Sequence, residues 1–380
     1  MPPGEPPFAD DPAVRRACAF LTIDLTAIAA NYRRLQSESK SARTAAVVKA
    51  DAYGLGAAEV GPTLARAGAE SFFVAQLDEA IALRTALAEA HPQAAIHVLN
   101  GAMIGAEADY LAHRIVPVLN SLDDLRRWQA LARERDEALP AVLHVDTGMN
   151  RLGLSPDELD ALADDHDRLA GLNLTAIMSH LACAEEPDNP MNETQRAAFA
   201  AALTRLPPAP ASLANSSGIF LGPGYHFDLL RPGVALYGVN PTPGLANPMA
   251  QVVSLKGKIL QVREIDAPQT VGYGASHRVE GATRLATVGV GYADGYLRSL
   301  SNRGSAFVGD QRVAVVGRVS MDLITLDVTS VPRDQVRPGS LVDLLDPLHG
   351  VDALAEEAGT IGYEVLTALG HRYHRHYVTG

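Results

Sequence analysis

At 380 residues the chain is too long for one ordinary domain and suits a large barrel with a smaller companion, while 47% hydrophobic and 20% charged residues give a globular composition able to bury a sizeable core. A net charge of −12 repels phosphate backbones and anionic membranes, so neither nucleic acid nor a membrane is an expected partner. Two cysteines, Cys18 and Cys183, make neither a disulfide framework nor a clustered zinc spacing.

So few cysteines fit a reducing cytoplasm, and the first residues carry Pro2, Pro3, Pro6, Pro7, Asp10 and Asp11 rather than an apolar export signal, so export is not expected. Residues 1–19 are expected to form a partly disordered extension. A strand over 19–23 then leads into a helix capped by Asp24, and this pair can join either domain.

Between residues 45 and 235, short β-branched runs alternate with longer Ala/Leu/Arg segments of helical period. Strands are expected at 44–48, 71–75, 95–99, 115–119, 141–145, 173–178, 211–214 and 226–230. Helices over 77–89, 122–134 and 193–206 have the apolar spacing to cover them. The fold class is therefore α/β: an N-terminal TIM-type (β/α)8 barrel over 20–245, followed by a C-terminal mainly β domain over 246–380. Residues 232–255 lack charge, but Pro241, Pro243, Gly244, Asn247 and Pro248 break that stretch, so its middle reads as a linker and not a spanning helix. Strands then follow at 252–265, 285–290, 312–316, 323–328 and 341–345. Gly309-Asp310 makes a hairpin turn between 307–308 and 313–316.

Catalytic groups of such barrels gather at the carboxyl ends of the strands. Lys49 ends the first strand, Asp146 and Arg151 follow the fifth, His180 the sixth, Asn215 and Ser216 the seventh, and Arg231 the eighth. Lys49, one of four lysines in the chain, leaves an apolar strand for a partly desolvated mouth. Desolvation lowers an amine's pKa, and only a neutral amine attacks a carbonyl. Its local context alone favours a rim lysine that snorkels to water; its company at the mouth reverses that reading. Pro232 and Gly233-Val234 suit a helix start with free N–H groups, which with Ser216 would bind a phosphate. The glycines around Tyr292 allow close backbone approach but do not have dinucleotide-binding spacing. His371, His374 and His376 are separated by arginines that repel a cation, so a solvated tail or interface strand is expected there and no metal.

The motifs AVVKADAYGLG at 46–56, VDTGMNRLG at 145–153, MSHLACAE at 178–185, ANSSG at 214–218, LLRPGVALYG at 229–238, GYADGY at 291–296, GRVSMD at 317–322 and GYEVLTALG at 362–370 resemble the alanine racemase family, in order and across both domains. The resemblance implies racemisation of alanine, supplying D-alanine for peptidoglycan, with pyridoxal 5'-phosphate (PLP) joined to Lys49 and a homodimer whose sites are shared. It implies that Tyr53, Ser216, Tyr363 and the backbone of Gly233 and Val234 hold the phosphate. Arg231 would face the pyridine nitrogen, and Arg151 with the backbone at Met321 would receive the substrate carboxylate. Asp146, Asn215 and Asp322 would support these groups, and Tyr273 would stand near the entrance. Lys49 and Tyr292 would be the two bases, one on each face of the α-carbon, Lys49 for the D-enantiomer and the partner subunit's Tyr292 for the L-enantiomer. A phenol is ordinarily a poor base at neutral pH, so His180 and Arg231 would favour its phenolate. The sequence departs from the family at His144, where many members have a lysine, often carbamylated. Histidine forms no such stable carbamate, so Arg151 needs another acceptor, a bound anion or neutral His144 itself, and activity is expected to be independent of carbon dioxide. A broader-specificity racemase and a PLP barrel decarboxylase are the alternatives, and a non-catalytic PLP carrier is disfavoured.

Overall fold

In the computed structural model, which describes residues 11–379, apolar β-branched runs form a seven-stranded parallel sheet in sequential order from Ala46–Val47 through Ser71–Val74, Ala95–Val98, Ile115–Leu119, Leu139–His144 and Leu172–Met178 to Ala211–Ser212. Parallel neighbours require long crossovers, and the helices Leu77–Ala86, Leu122–Arg135 and Pro190–Leu203 supply three of them. Ser121 starts the second by accepting from the Asp124 N–H, and Asn189 starts the third by accepting from the Met191 N–H. The sheet closes through Leu229–Leu230. Its flanking N–H groups at Asp228 and Arg231 donate to Ala211 and Ala214 carbonyls, and on its other side it pairs in parallel with Arg43–Thr44. The first strand expected over 44–48 is thus split into Arg43–Thr44 and Ala46–Val47, each bonded to a different neighbour. Val98, Val118, Val142 and Leu143 are fully buried, each contributing roughly 1.5–3 kcal/mol on leaving water.

The second contact unit comprises Gln251 onward together with the N-terminal segment up to Ala27, the first unit being Ile28–Ala250. Its eight-stranded sheet runs in the order Thr283–Val288, Ile324–Asp327, Gln311–Val315, Ser305–Val308, Leu341–Leu345, Val253–Ile265, Ala19–Asp24 and His374–Val378. A further pairing of Val253–Ile265 with Thr283–Val288 closes six of them into a ring. Gly257 permits the close crossing there, since a Cβ on it would stand 2.5 Å from Val288 Cγ1. The turn at Gly309-Asp310 is present, with Val308 opposite Gln311 and Gly309 at φ 58°.

Residues 20–27 were expected to open the barrel domain, but the strand Ala19–Asp24 pairs antiparallel with Val253–Ile265 and so lies in the C-terminal sheet. The boundary accordingly falls at 250/251 instead of 245/246. The extension at 1–19 lies partly outside the described residues, and its described part includes a short helix, Pro12–Arg16, capped by Asp11. His374 and His376 belong to a strand parallel to Ala19–Asp24, bonded as a sheet member. No helix among the described residues is long and apolar enough to cross a membrane.

Candidate functional site

Lys49 sits where the first barrel strand ends, half-buried, after Val48 donates its N–H to the Phe73 carbonyl. Beyond it the chain does something unusual: Ala50, Asp51, Ala52 and Tyr53 all have φ between 53° and 56°. Left-handed backbone costs an L-residue roughly 1–2 kcal/mol, so four in succession need support. They receive it from the Ala52 N–H donating to the Val48 carbonyl, Gly54 N–H to Ala50, Ala57 N–H to the Asp51 carboxylate at 2.7 Å and Ala50 N–H to the Glu79 carboxylate at 2.6 Å. This turn aims Lys49 from the strand end and buries Tyr53. Burial lowers the Lys49 pKa, the Arg151 cation lowers it further, and Glu79 opposes them. Expectation and structure agree in direction.

The Ser216 hydroxyl accepts from the Gly233 N–H at 2.9 Å and the Ala235 N–H at 3.2 Å. The expected helix start after Pro232 is a single 3-10 turn, Val234–Tyr237, and the Gly233 N–H is not free but engaged by Ser216. A Cβ on Gly233 would collide with the Tyr53 hydroxyl, so glycine keeps a close cradle of Tyr53, Ser216 and the Gly233 backbone. Burial keeps the Tyr53 phenol protonated, as a donor.

Arg231 is buried, and its guanidinium donates to the Ser212 hydroxyl and to the Ser179 carbonyl at 2.6 Å. Burial depresses its pKa to about 10, which leaves it cationic at neutral pH. Another of its N–H groups points at His180 Nδ1 at 3.5 Å. Burial, then Arg231, Arg151 and Lys49, hold His180 well below the usual histidine pKa, hence neutral. Arg151 lies in a loop that Leu154 and Asp146 tie to the strand end: Leu154 N–H donates to the His144 carbonyl and Asp146 N–H to the Leu154 carbonyl. The Asp146 carboxylate gathers the N–H groups of Gly148, Met149 and Asn150. Asn215 accepts from the Gly218 N–H, shaping the turn next to Ser216.

In the C-terminal unit, the Tyr292 and Ala293 N–H groups donate to the Ser320 and Met321 carbonyls, so Tyr292 and Met321 occupy adjacent strands of backbone. Asp294 is buried, accepts from the Gly291 N–H at 2.8 Å and pairs with Arg372, which also pairs with Asp322 at 2.7 Å. A Cβ on Gly291 would strike the Ser320 and Met321 carbonyls, which accounts for that glycine. Tyr273, Tyr292 and Met321 are exposed, Tyr273 at 72%. Tyr363 lies in the first turn of the helix Gly362–Ala368. Sequence reasoning passed over Glu79 and Asn120. Glu79 falls within an expected helix, and only its spatial closeness to Ala50 reveals its role.

Fold and site define a class of two-domain α/β proteins whose parallel barrel presents a lysine of depressed pKa, a buried arginine and a close cradle of hydroxyl and backbone groups at the carboxyl ends of its strands. The chain belongs to the alanine racemase family: the model described as alanine racemase, N-terminal domain, matches residues 23–241, and that for the C-terminal domain matches 252–377. It is 54% identical over 363 residues to the alanine racemase of Rhodospirillum rubrum, covering 95% of this chain and 96% of that one. It is 50% identical to a catabolic alanine racemase of Mesorhizobium japonicum, covering 96% and 94%. Among solved structures, alanine racemase from Bartonella henselae with covalently bound pyridoxal phosphate is similar at 41% identity and TM-score 0.91, covering 95% of this chain and all of that one. The biosynthetic alanine racemase of Pseudomonas aeruginosa gives 35% identity and TM-score 0.88, covering 96% of this chain and all of that one.

Proposed function

We propose that this protein interconverts L- and D-alanine, with PLP as cofactor on Lys49. The observation that carries the reading is the joint presence, at one barrel mouth, of a lysine with lowered pKa, the Tyr53–Ser216–Gly233 cradle and the buried Arg231 cation. That donor set suits a phosphorylated pyridine: hydroxyl and N–H donors for the phosphate, and a cation that leaves a ring nitrogen unprotonated. PLP, when bound, supplies an electron sink that weakens the α-C–H bond of an amino acid.

The residues of the chain do the rest. Ser216, Tyr53, Tyr363 and the backbone of Gly233 and Val234 would hold the phosphate, the Gly233 N–H exchanging its bond to Ser216 for one to a phosphate oxygen. Arg231 cannot readily give up its proton, so the sink is held weak and the α-carbon regains a proton instead of losing the amino group. Lys49 removes or returns the proton on one face, serving D-alanine, and Tyr292 does so on the other, serving L-alanine. Arg151 and the Met321 backbone hold the carboxylate. Tyr292 is contributed by a second copy of the chain. Exposed Tyr273, Tyr292, Met321 and Leu323 support that assembly, because apolar side chains in such numbers near one loop system are costly in water. A cytoplasmic role in supplying D-alanine for peptidoglycan is compatible with this chemistry. The test is to incubate the purified protein in D2O with L-alanine, D-alanine and a panel of other amino acids. Equal L and D isomers with α-deuteration, reached from either enantiomer, are expected. Carbon dioxide release without the opposite isomer would replace the racemase reading with a decarboxylase.

A further inference from the structure

The Asn120 amide has only one orientation that fits its surroundings. Its Nδ2 donates to the Leu99 carbonyl at 3.0 Å and the Val118 carbonyl at 3.1 Å, and the amide oxygen, having no hydrogen to donate, could bond to neither. Its Oδ1 therefore faces His144 Nδ1, 2.8 Å away. An amide oxygen can only accept, so His144 Nδ1 carries the proton. The ring is buried, and desolvation together with the Arg231 and Arg151 cations, opposed by Asp146, pushes its pKa down to about 4. A neutral ring protonated at Nδ1 has its lone pair at Nε2. That edge faces the Arg151 loop: Cδ2, bonded to Nε2, stands 3.1 Å from where a Cβ on Gly153 would sit, two residues beyond Arg151. No donor among the described residues is bonded to Nε2. The charged and titratable groups acting on the ring are Arg231, Arg151, Asp146 and His180, so an acceptor here works among cations.

We propose that His144 is a positioning residue whose Nε2, open in this structure, accepts a hydrogen bond from the Arg151 guanidinium once a carboxylate is held there, and so sets the group that receives it, Asn120 fixing the tautomer that makes this contact attractive. The inference rests on the reading of Arg151 as the carboxylate receptor. A neutral acceptor steadies the guanidinium without cancelling its charge, whereas a protonated histidine would repel both Arg151 and Arg231.

The experiment uses the PLP-loaded protein labelled with ¹⁵N-histidine, the His144 signals being identified by their loss in His144→Gln. The wild type should show a protonated Nδ1 and an unprotonated Nε2 from pH 6 to 8. In parallel, His144→Phe, which keeps a ring but has no acceptor, should raise KM for both alanine enantiomers about tenfold or more, the loss of one hydrogen bond to a charged group, with kcat changed less than threefold. Binding of propionate, a carboxylate without an amine, should weaken by the same factor in calorimetry. His144→Gln, which offers an amide oxygen, should restore most of both. A proton on Nε2, an unchanged KM and propionate affinity in His144→Phe, or equal losses in the Phe and Gln variants would each overturn the proposal. If the wild type fails to racemise alanine, the function proposed above falls, while the tautomer and the propionate titration still decide the role of His144.

Discussion

A lysine at a strand end becomes reactive through what surrounds it. Lys49 is half-buried and stands within reach of the Arg151 cation, and both effects favour its neutral form. Borohydride reduction of the PLP-loaded protein followed by peptide mass spectrometry should therefore find the pyridoxyl adduct on Lys49. An adduct on Lys40, Lys256 or Lys258 would mean that the wrong amine had been assigned. The type and chain position of this residue were readable from the sequence, as were Arg231 and Ser216. The bonds between them were not, because Ser216 meets Gly233 across 17 positions and Arg231 meets Ser179 across 52. The engaged Gly233 N–H shows the consequence: a residue pattern announces donors but not whether a neighbouring hydroxyl already uses them.

Among the elements, two turns carry the candidate bases, and each depends on backbone that few residues tolerate. The left-handed turn after Lys49 could not be read from AVVKADAYGLG, since alanine and tyrosine rarely adopt positive φ and one aspartate that tolerates it does not announce four such residues in succession. Tertiary bonds impose it, and Glu79 is central among them, its carboxylate accepting from the Ala50, Ala75 and Gln76 N–H groups. Glu79→Ala should cost about 1–3 kcal/mol, the penalty of stranded donors, and should weaken PLP binding through the displaced Lys49. Chemical denaturation and a cofactor titration would measure the two effects, and no change in either would show that the turn holds itself. At the other base, Gly295 has φ 93° and its missing Cβ would overlap the Ala368 carbonyl. Gly295→Ala should therefore displace the Tyr292 turn and lose most activity while the Lys49 cofactor band remains. Here the glycines around Tyr292 made the close backbone approach legible in the sequence. The strand Ala19–Asp24 was legible as a strand but not as a member of a particular sheet, because its partner Val253–Ile265 lies more than 200 residues away and both domains accept such a strand.

For the whole molecule, buried neutral histidines link stability to acidity. Burial presses both His97 and His144 from the usual value of 6.5 to about 4. His97 is stacked on Phe73, with its Nε2 facing the Ser71 hydroxyl at 3.0 Å. Between pH 6.5 and 4 the unfolded chain binds protons that the folded chain refuses, so stability is complete above 6.5 and falls as the pH drops toward 4. Each histidine should contribute a loss of roughly 3 kcal/mol across that window. Urea midpoints measured from pH 7 to 4 should show the decline, and His97→Leu should flatten it; an unaltered slope would mean that His97 titrates freely. The two-unit organisation and most strands were readable from periodicity, while the split first strand and the domain assignment of residues 20–27 depended on pairing across the chain.

In the proposed mechanism Lys49 and Tyr292 are opposed bases of one racemase site completed by two chains. The direct test co-expresses differently tagged Lys49→Ala and Tyr292→Ala chains and isolates the mixed dimer. Each variant alone should be nearly inactive toward alanine, and the mixed dimer, with one intact site of two, should recover about half of the wild-type rate. A mixed dimer as inactive as its parents, or a Tyr292→Ala protein that racemises at the wild-type rate in both directions, would contradict it.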